Sequence, residues 1–290
     1  MKLRVLALLT AACVMPASIM AATLEVGKGG ADAVALQTAI MEAADGDVVL
    51  VHPGLYEGFA GAVYSKGITI RSVKGPEETI LTGNSKNAIL QIRSSGENQT
   101  VVEGFTFQGN AAERFGGAIS ITQLSSPTIR NNIFRENSAG IAGAIYISPQ
   151  CSPTIEKNLF VGNVARSWGG AIYMQHAEPR VSENTFVGNV ASRSGSAISM
   201  YDASPRIDNN VFLDQGGVTT IHMMTPKCVP TFSCNGHWGD EGLFLGGDEN
   251  VKLPDTDSRS EQFAFADTNL YGLKTAPSFA AGDCGKVGWR

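Results

Sequence analysis

Four prolines, Pro127, Pro153, Pro179 and Pro205, stand 26 residues apart, and other columns keep the same step. Two residues after each proline comes a β-branched residue: Ile129, Ile155, Val181, Ile207. Asn132, Asn158, Asn184 and Asn210 follow, and then Phe134, Phe160, Phe186 and Phe212, preceded one repeat earlier by Phe107. An FxxN pattern recurs at Asn110, Asn137, Asn163 and Asn189. A small-residue patch recurs as GGAI (Gly116–Ile119), AGAI (Ala142–Ile145), GGAI (Gly169–Ile172) and GSAI (Gly195–Ile198). A fixed period of this size means a solenoid or an array.

The period and the local pattern choose among solenoids. Tetratricopeptide, ankyrin and propeller repeats are longer, and the leucine-rich frame is absent. Apolar residues alternate over short runs such as Thr-Ile-Arg and Ile-Tyr-Ile, which is strand periodicity. Each repeat therefore predicts one coil of an all-β parallel β-solenoid, with about 26 residues per coil and coils stacked at ~4.8 Å. Phe and Ile/Val columns would stack inside. The column Asn132, Asn158, Asn184, Asn210 would form a ladder at a turn, where Asn tolerates left-handed backbone. The Gly-Ala pairs would sit where the coil narrows. Proline at a strand start loses no ladder bond.

The GGAI and FxxN motifs resemble the repeats of the polymorphic outer-membrane proteins. More broadly, the chain from about residue 24 to 290 resembles the right-handed parallel β-helix proteins of the pectin-lyase-like superfamily. The resemblance implies a right-handed coil. It does not choose among the lyases, hydrolases, esterases, epimerases and adhesins that share the fold. The order of a helix, then GD-V-V-L-V-x-P-G-x-Y-x-G, then I-T-I-R-S also resembles the opening of secreted β-helix proteins. The end, Tyr271 to Ser278 followed by Asp283-Cys284-Gly285, resembles their closing segment, with Ser278 where a Cys is often found.

Met1–Ala22 reads as a secretory signal: Lys2 and Arg4, the apolar run Val5–Met15, and small residues at Ala21 and Ala22. A lipoprotein signal at Cys13 is the alternative, with Thr10 where Leu would be expected. The expected location is extracellular or periplasmic. No later segment is long and apolar enough to cross a bilayer as a helix. The formal net charge of −5 and the lack of a long basic run speak against nucleic acid. Asp32–Ala44 predicts a capping helix, with Asp32 at its start and Leu36, Ile40 and Ala43 on one face. Residues 23–224 form the expected β-helix, with roughly seven coils from Val48 to Met224. Residues 225–290 form an irregular C-terminal cap.

Cys151, Cys228, Cys234 and Cys284 remain after signal removal and allow three pairings. Cys228–Cys234, closing a short loop, is the favoured bridge. Cys151–Cys284 would need the tail to fold back.

Loops between coils are where ligands are sought. Arg114, Arg166 and Arg193 could form a positive strip suited to carboxylates, or pair with neighbours such as Glu113. Ser120, Tyr146, Tyr173, Ser199 and His222 fall on one outward column, with Trp168, His176, Tyr201 and Asp202 nearby. That face suits sugar rings, although stacked tyrosines also stabilise sheets. The acidic pairs Asp240/Glu241, Asp248/Glu249 and Asp255/Asp257 raise calcium, but paired carboxylates alone read as solvated loops; no metal or cofactor is assigned. His237-Trp238-Gly239-Asp240 reads as a turn in the cap. The catalytic signatures of pectin-degrading enzymes are missing, since Asp267-Thr268-Asn269 has the wrong order. Arg180 and Arg206 read as surface charges alternating with Glu156 and Asp208. The favoured function is non-catalytic binding of a glycan or cell-surface partner. The alternative is a polysaccharide lyase or glycoside hydrolase acting on an acidic polysaccharide.

Overall fold

A computed structural model describes residues 21–93, 99–217, 219–238 and 243–247, with three further short strands at Ser258–Ser260, Phe279–Ala280 and Lys286–Val287. The chain winds into a parallel β-solenoid of about eight coils. Three sheets of nine, nine and eight strands run its length. In one coil, Thr154–Glu156 belongs to sheet 1, Leu159–Val161 to sheet 2 and Ile172–Gln175 to sheet 3. Each repeat column meets itself: Ile155 pairs with Val181, Phe160 with Phe186, and Ile172 with Ile198.

Five phenylalanines, Phe107, Phe134, Phe160, Phe186 and Phe212, stack inside with centroids 4.7–5.2 Å apart and planes within 10°. All five are fully buried. The strand spacing equals the stacking distance of aromatic rings, so one residue type repeated at one position fills the core without voids.

Two asparagine ladders run beside this stack. In the first, the Asn158 side-chain amide donates to Ile129 O (2.8 Å) and to Asn184 Oδ1 (3.0 Å). Its own Oδ1 accepts from the amide N–H (3.0 Å) and the side chain (3.2 Å) of Asn132. Asn184, Asn210 and Asn235 continue the pattern. The second ladder joins the FxxN asparagines Asn137, Asn163 and Asn189 and ends on Gln215 Oε1. The left-handed residue is not the ladder asparagine. It is the residue before it: Asn131, Lys157, Glu183 and Asn209, with φ 54–57°. The bend falls there so that the next side chain turns inward, fully buried, where all its hydrogen-bonding capacity is used.

Helix α1 (Ala33–Glu42) covers the N-terminal end. Asp32 caps it by accepting from the amides of Val34 and Ala35. Leu36, Ala39 and Ile40 are buried beneath it. Gln37 Oε1 accepts from the Ala62 amide on the first strand of sheet 3, satisfying part of a strand edge that would otherwise be open.

The cysteines correct the sequence reading. Cys151 and Cys228 are both free and buried, so neither Cys228–Cys234 nor Cys151–Cys284 is formed. They belong to a column of small core residues two before each proline: Ser125, Cys151, Ala177, Ala203, Cys228. The thiol of Cys228 points to Met200 O (3.6 Å), as that of Cys151 points to Ile121 O (3.9 Å). A residue facing the solenoid axis is turned away from a partner at the next corner, where Cys234 sits in a left-handed turn.

The coils also continue past Met224. Thr231–Ser233 joins sheet 1, and Asn235–Trp238 pairs in register with Val211–Leu213. His237 and Trp238 therefore lie in a strand rather than a turn. No helix among the described residues is long and apolar enough to cross a membrane. Cys13 and the signal segment up to residue 20, Cys284, the three acidic pairs, Asp267-Thr268-Asn269 and the closing segment lie outside the described residues, apart from the short strand Phe279–Ala280.

Candidate functional site

The outward side of sheet 3 carries the residues of interest. Gln91, Ser120, Tyr146, Tyr173, Ser199 and His222 occupy one register column. The column is not an open aromatic platform. Tyr146 and Tyr173 are 9% and 6% exposed, and Ser199 is fully buried. Phe115, Ile141 and Trp168, from the loop before the strands, pack over the two tyrosines. The rings of Tyr146 and Tyr173 are parallel at 6.0 Å, and Phe115 lies 4.6 Å from Tyr146. Burial pushes the Tyr173 phenol up to about 12, with lesser contributions from Tyr146 and Tyr201. Burial also raises Tyr146.

This gives a direct expectation. In a spectrophotometric titration, one tyrosine should ionise only near pH 12, and Tyr173→Phe should remove that step. The sign for stability is fixed: the unfolded phenol loses its proton near pH 10, the folded one later. Tyr173 therefore supports the fold below pH 10 and withdraws that support as pH rises through about 12.

The three arginines of the loop do not form one strip. Arg114 lies over the Phe115 ring at 5.1 Å and Arg193 over the Trp168 ring at 4.7 Å. Such contacts hold a guanidinium flat against an apolar ridge. Arg166 turns back and donates to the carbonyls of Ala112 and Glu113, two coils earlier. It ties loops together rather than facing a ligand.

A second cluster lies at the far end of the sheet 3 strands. His176 Nδ1 is 3.7 Å from Asp202 Oδ2, and Lys227 is 3.5 Å from the same oxygen. Thr225 donates to Asp202 Oδ1 (2.5 Å). That hydrogen bond, aided by Lys227 and His176, holds the Asp202 carboxyl below the usual carboxylate range. Tyr201 packs edge-on against His176 at 5.5 Å. The structure thus unites His176, Tyr201 and Asp202. Arg166 and His176 flank opposite ends of the strand Ile172–Gln175, about 13 Å long at ~3.3 Å per residue, with the buried Tyr173 between them.

A concavity on the same face lies nearer the N-terminus. A cleft of ≈ 370 Å³ is floored by two outward columns of sheet 3: Gln91, Ser120 and Tyr146, and beside them Arg93, Thr122 and Ser148. Lys86 and Asn87 form one wall, and Glu113, Arg114 and Phe115 the other. It opens because Gln91 and Ser120 precede the tyrosines in the column; at Tyr146 the ring fills the space. Asn110, the first member of the second ladder, fixes the wall. Its Oδ1 accepts from Ser85, and its amide donates to Asn87 O and Gly117 O. Arg93 is held by Gln91 (2.6 Å) and lies over the Tyr64 ring at 5.9 Å. Three cations and one carboxylate, Glu113, line the cleft.

Of the residues singled out by sequence, Glu113, Arg114, Ser120 and Tyr146 line this cleft. Lys86, Gln91 and Arg93 were missed because the early coils lack FxxN. Aligning Leu-Gln-Ile-Arg (90–93) with Ile-Ser-Ile-Thr (119–122) was the available signal. Among the described residues, no group of three or more His, Cys, Asp or Glu side chains is placed to hold a metal ion.

Sheet topology and cleft together define a parallel β-solenoid with a cationic cleft on one lateral face. The chain belongs to the right-handed β-helix region family, whose match covers residues 62–222, more than half its length. The matched span includes every cleft residue. No curated protein matches the chain.

Proposed function

We propose that this is a secreted, non-catalytic β-helix protein that holds a stretch of acidic glycan in the sheet 3 cleft. The observation that carries the reading is the disposition of Lys86, Arg93 and Arg114 around a floor of amide and hydroxyl groups. Guanidinium groups recognise carboxylates through paired donors, and Gln91, Ser120, Thr122 and Ser148 offer partners for sugar hydroxyls. Phe115 and Tyr146 supply an apolar side for a ring. The charge pattern of the Met1–Ala22 segment supports export.

Turnover is disfavoured by the composition of the site. Glycoside hydrolysis ordinarily needs two carboxyl groups ~5–9.5 Å apart across the scissile bond, and the cleft is lined by one. The remaining support for the enzyme reading is the His176–Asp202 pair, which lies outside the cleft lining, beside the half-buried Tyr201.

The test is calorimetric titration with oligomers of polygalacturonate, alginate and glycosaminoglycans, beside an assay for reducing or unsaturated sugar release with and without calcium. Binding without turnover is expected. Arg114→Ala and Lys86→Ala should each weaken it about three- to tenfold, a partial loss because both residues are exposed. Affinity should fall with added salt. Sugar release abolished by His176→Ala or Asp202→Ala would instead establish the enzyme reading. Absence of binding across the panel would end the glycan reading.

A further inference from the structure

Strand β1 (Thr23–Val26) is the N-terminal edge of sheet 1 and pairs on one side, with Val48–Val51. The carbonyls of Ala22 and Val26 accept from the amides of Val48 and His52 on that neighbour. In a parallel ladder alternate residues turn their backbone groups to opposite sides. The N–H and C=O groups of Thr23 and Glu25 therefore point away from the sheet. Such an edge is a template for a further strand. Helix α1 closes the interior of the first coil, and Gln37 covers part of the sheet 3 edge, but among the described residues sheet 1 keeps its edge. A groove of ≈ 560 Å³ runs between β1 and one side of α1. Val34, Ala35 and Thr38 on that side are exposed, Val34 by 75%. The two walls match in length: four strand residues span about 13 Å at ~3.3 Å each, and ten helical residues about 15 Å at ~1.5 Å each. Glu25, Asp32 and Glu42 line the groove, and among the described residues its lining holds no lysine or arginine. Lys28 and His52 reach Glu25 from outside that lining.

We infer that a basic, extended segment of another protein docks in this groove by adding one strand to β1. The open backbone edge selects an extended chain, and the three carboxylates select lysine and arginine. Strand alternation sets the sequence pattern. Residues level with Leu24 and Val26 would lie against the apolar side of α1 and be small and apolar. Residues level with Thr23 and Glu25 would face outward, where a cation meets Glu25 across the strands. Main-chain hydrogen bonds then supply affinity and the alternate side chains supply specificity. A second copy is a poor occupant, because β1 against β1 would bring two sets of the same carboxylates together. This edge shares no residue with the sheet 3 cleft and stands whether or not that cleft holds a glycan.

The test titrates the full-length protein into a fluorescein-labelled peptide of alternating lysine and valine, with a glutamate–valine peptide as control, and reads anisotropy. Saturable binding of the first peptide alone is expected, weakening with added salt. Thr23→Pro should weaken it about tenfold or more. Proline removes an outward N–H and blocks the added strand, while the ladder to Val48–Val51 does not use that N–H. Glu42→Lys should weaken it about threefold, as an exposed charge would. Hydrogen exchange on the unmutated protein gives a second reading that does not depend on how a variant folds: the bound peptide should slow exchange at the Thr23 and Glu25 amides. No binding of the lysine–valine peptide, binding without protection of those two amides, or equal binding by a Thr23→Pro protein of unchanged melting temperature would each overturn the inference. A dimer in sedimentation that Thr23→Pro abolishes would assign the edge to self-association instead.

Discussion

Asn158→Leu should lower the free energy of unfolding by roughly 4–6 kcal/mol, although leucine nearly matches asparagine in shape. The side chain is fully buried and makes four hydrogen bonds to three residues in the two adjoining coils. Leucine removes both halves of the amide and strands the Asn132 amide N–H, the Ile129 carbonyl and one lone-pair site on Asn184. Each buried group left without a partner costs about 1–3 kcal/mol. The gain from leucine's apolar surface offsets only part of this. Because each coil packs chiefly on its neighbours, the loss weakens the solenoid at this point, and the urea transition should broaden or split. Asn131→Ala, one residue away, is the control. That side chain is half-buried and donates to Glu103, and alanine tolerates its left-handed backbone (φ 55°) less well than asparagine, so a change of about 1–2 kcal/mol is expected. An Asn158→Leu protein melting within 1 kcal/mol of wild type would show that the ladder is ornamental and that the phenylalanine stack alone sets the coil spacing.

The architecture was legible because a solenoid writes its geometry as a period. Pro153, Ile155, Asn158 and Phe160 recur with a single step, so strand order, register and core followed from alignment of the chain with itself. Two things were hidden by the same regularity. Cys151 and Cys228 looked like disulfide partners because only their identity and even count were weighed; read as members of the Ser125–Ala177–Ala203 column, they are small core residues. The outward tyrosines looked exposed because strand parity says which side of a sheet a residue faces, not what lies over that side. Phe115, Ile141 and Trp168 come from a loop whose fold depends on close backbone approach at the glycines, and that is not a property of any one repeat. The cleft was hidden for the opposite reason. It sits where the pattern begins, between the last coil without FxxN and the first coils with it, and its cations Lys86 and Arg93 have no counterparts one period on.

Gly143→Ala joins the fold to the cleft most directly. The second residue of each GGAI patch, Gly117, Gly143 and Gly170, packs against the backbone of the next coil. A Cβ on Gly143 would stand 2.1 Å from the carbonyl oxygen of Gly170 and 2.6 Å from the amide nitrogen of Val164. Neither is the end of a flexible side chain, so the coils themselves must part, and a cost of about 3 kcal/mol or more is expected. The displaced segment includes Ile141, whose amide donates to Arg114 O at 2.8 Å, so the cleft wall should move with it. The variant should therefore lose affinity for an acidic oligosaccharide even under conditions where it stays folded. Gly188→Asp is the comparison. Gly188 has a left-handed backbone (φ 56°), but only one atom lies within 4 Å of its would-be Cβ, and Glu136 and Asp214 already occupy the same column at φ 55° and 46°. It should cost about 1 kcal/mol, the ordinary penalty for a side chain in that conformation, and leave binding untouched. Equal effects from the two substitutions would mean that backbone conformation, not inter-coil contact, limits the glycine positions. Arg114 would then owe its placement to Phe115 alone.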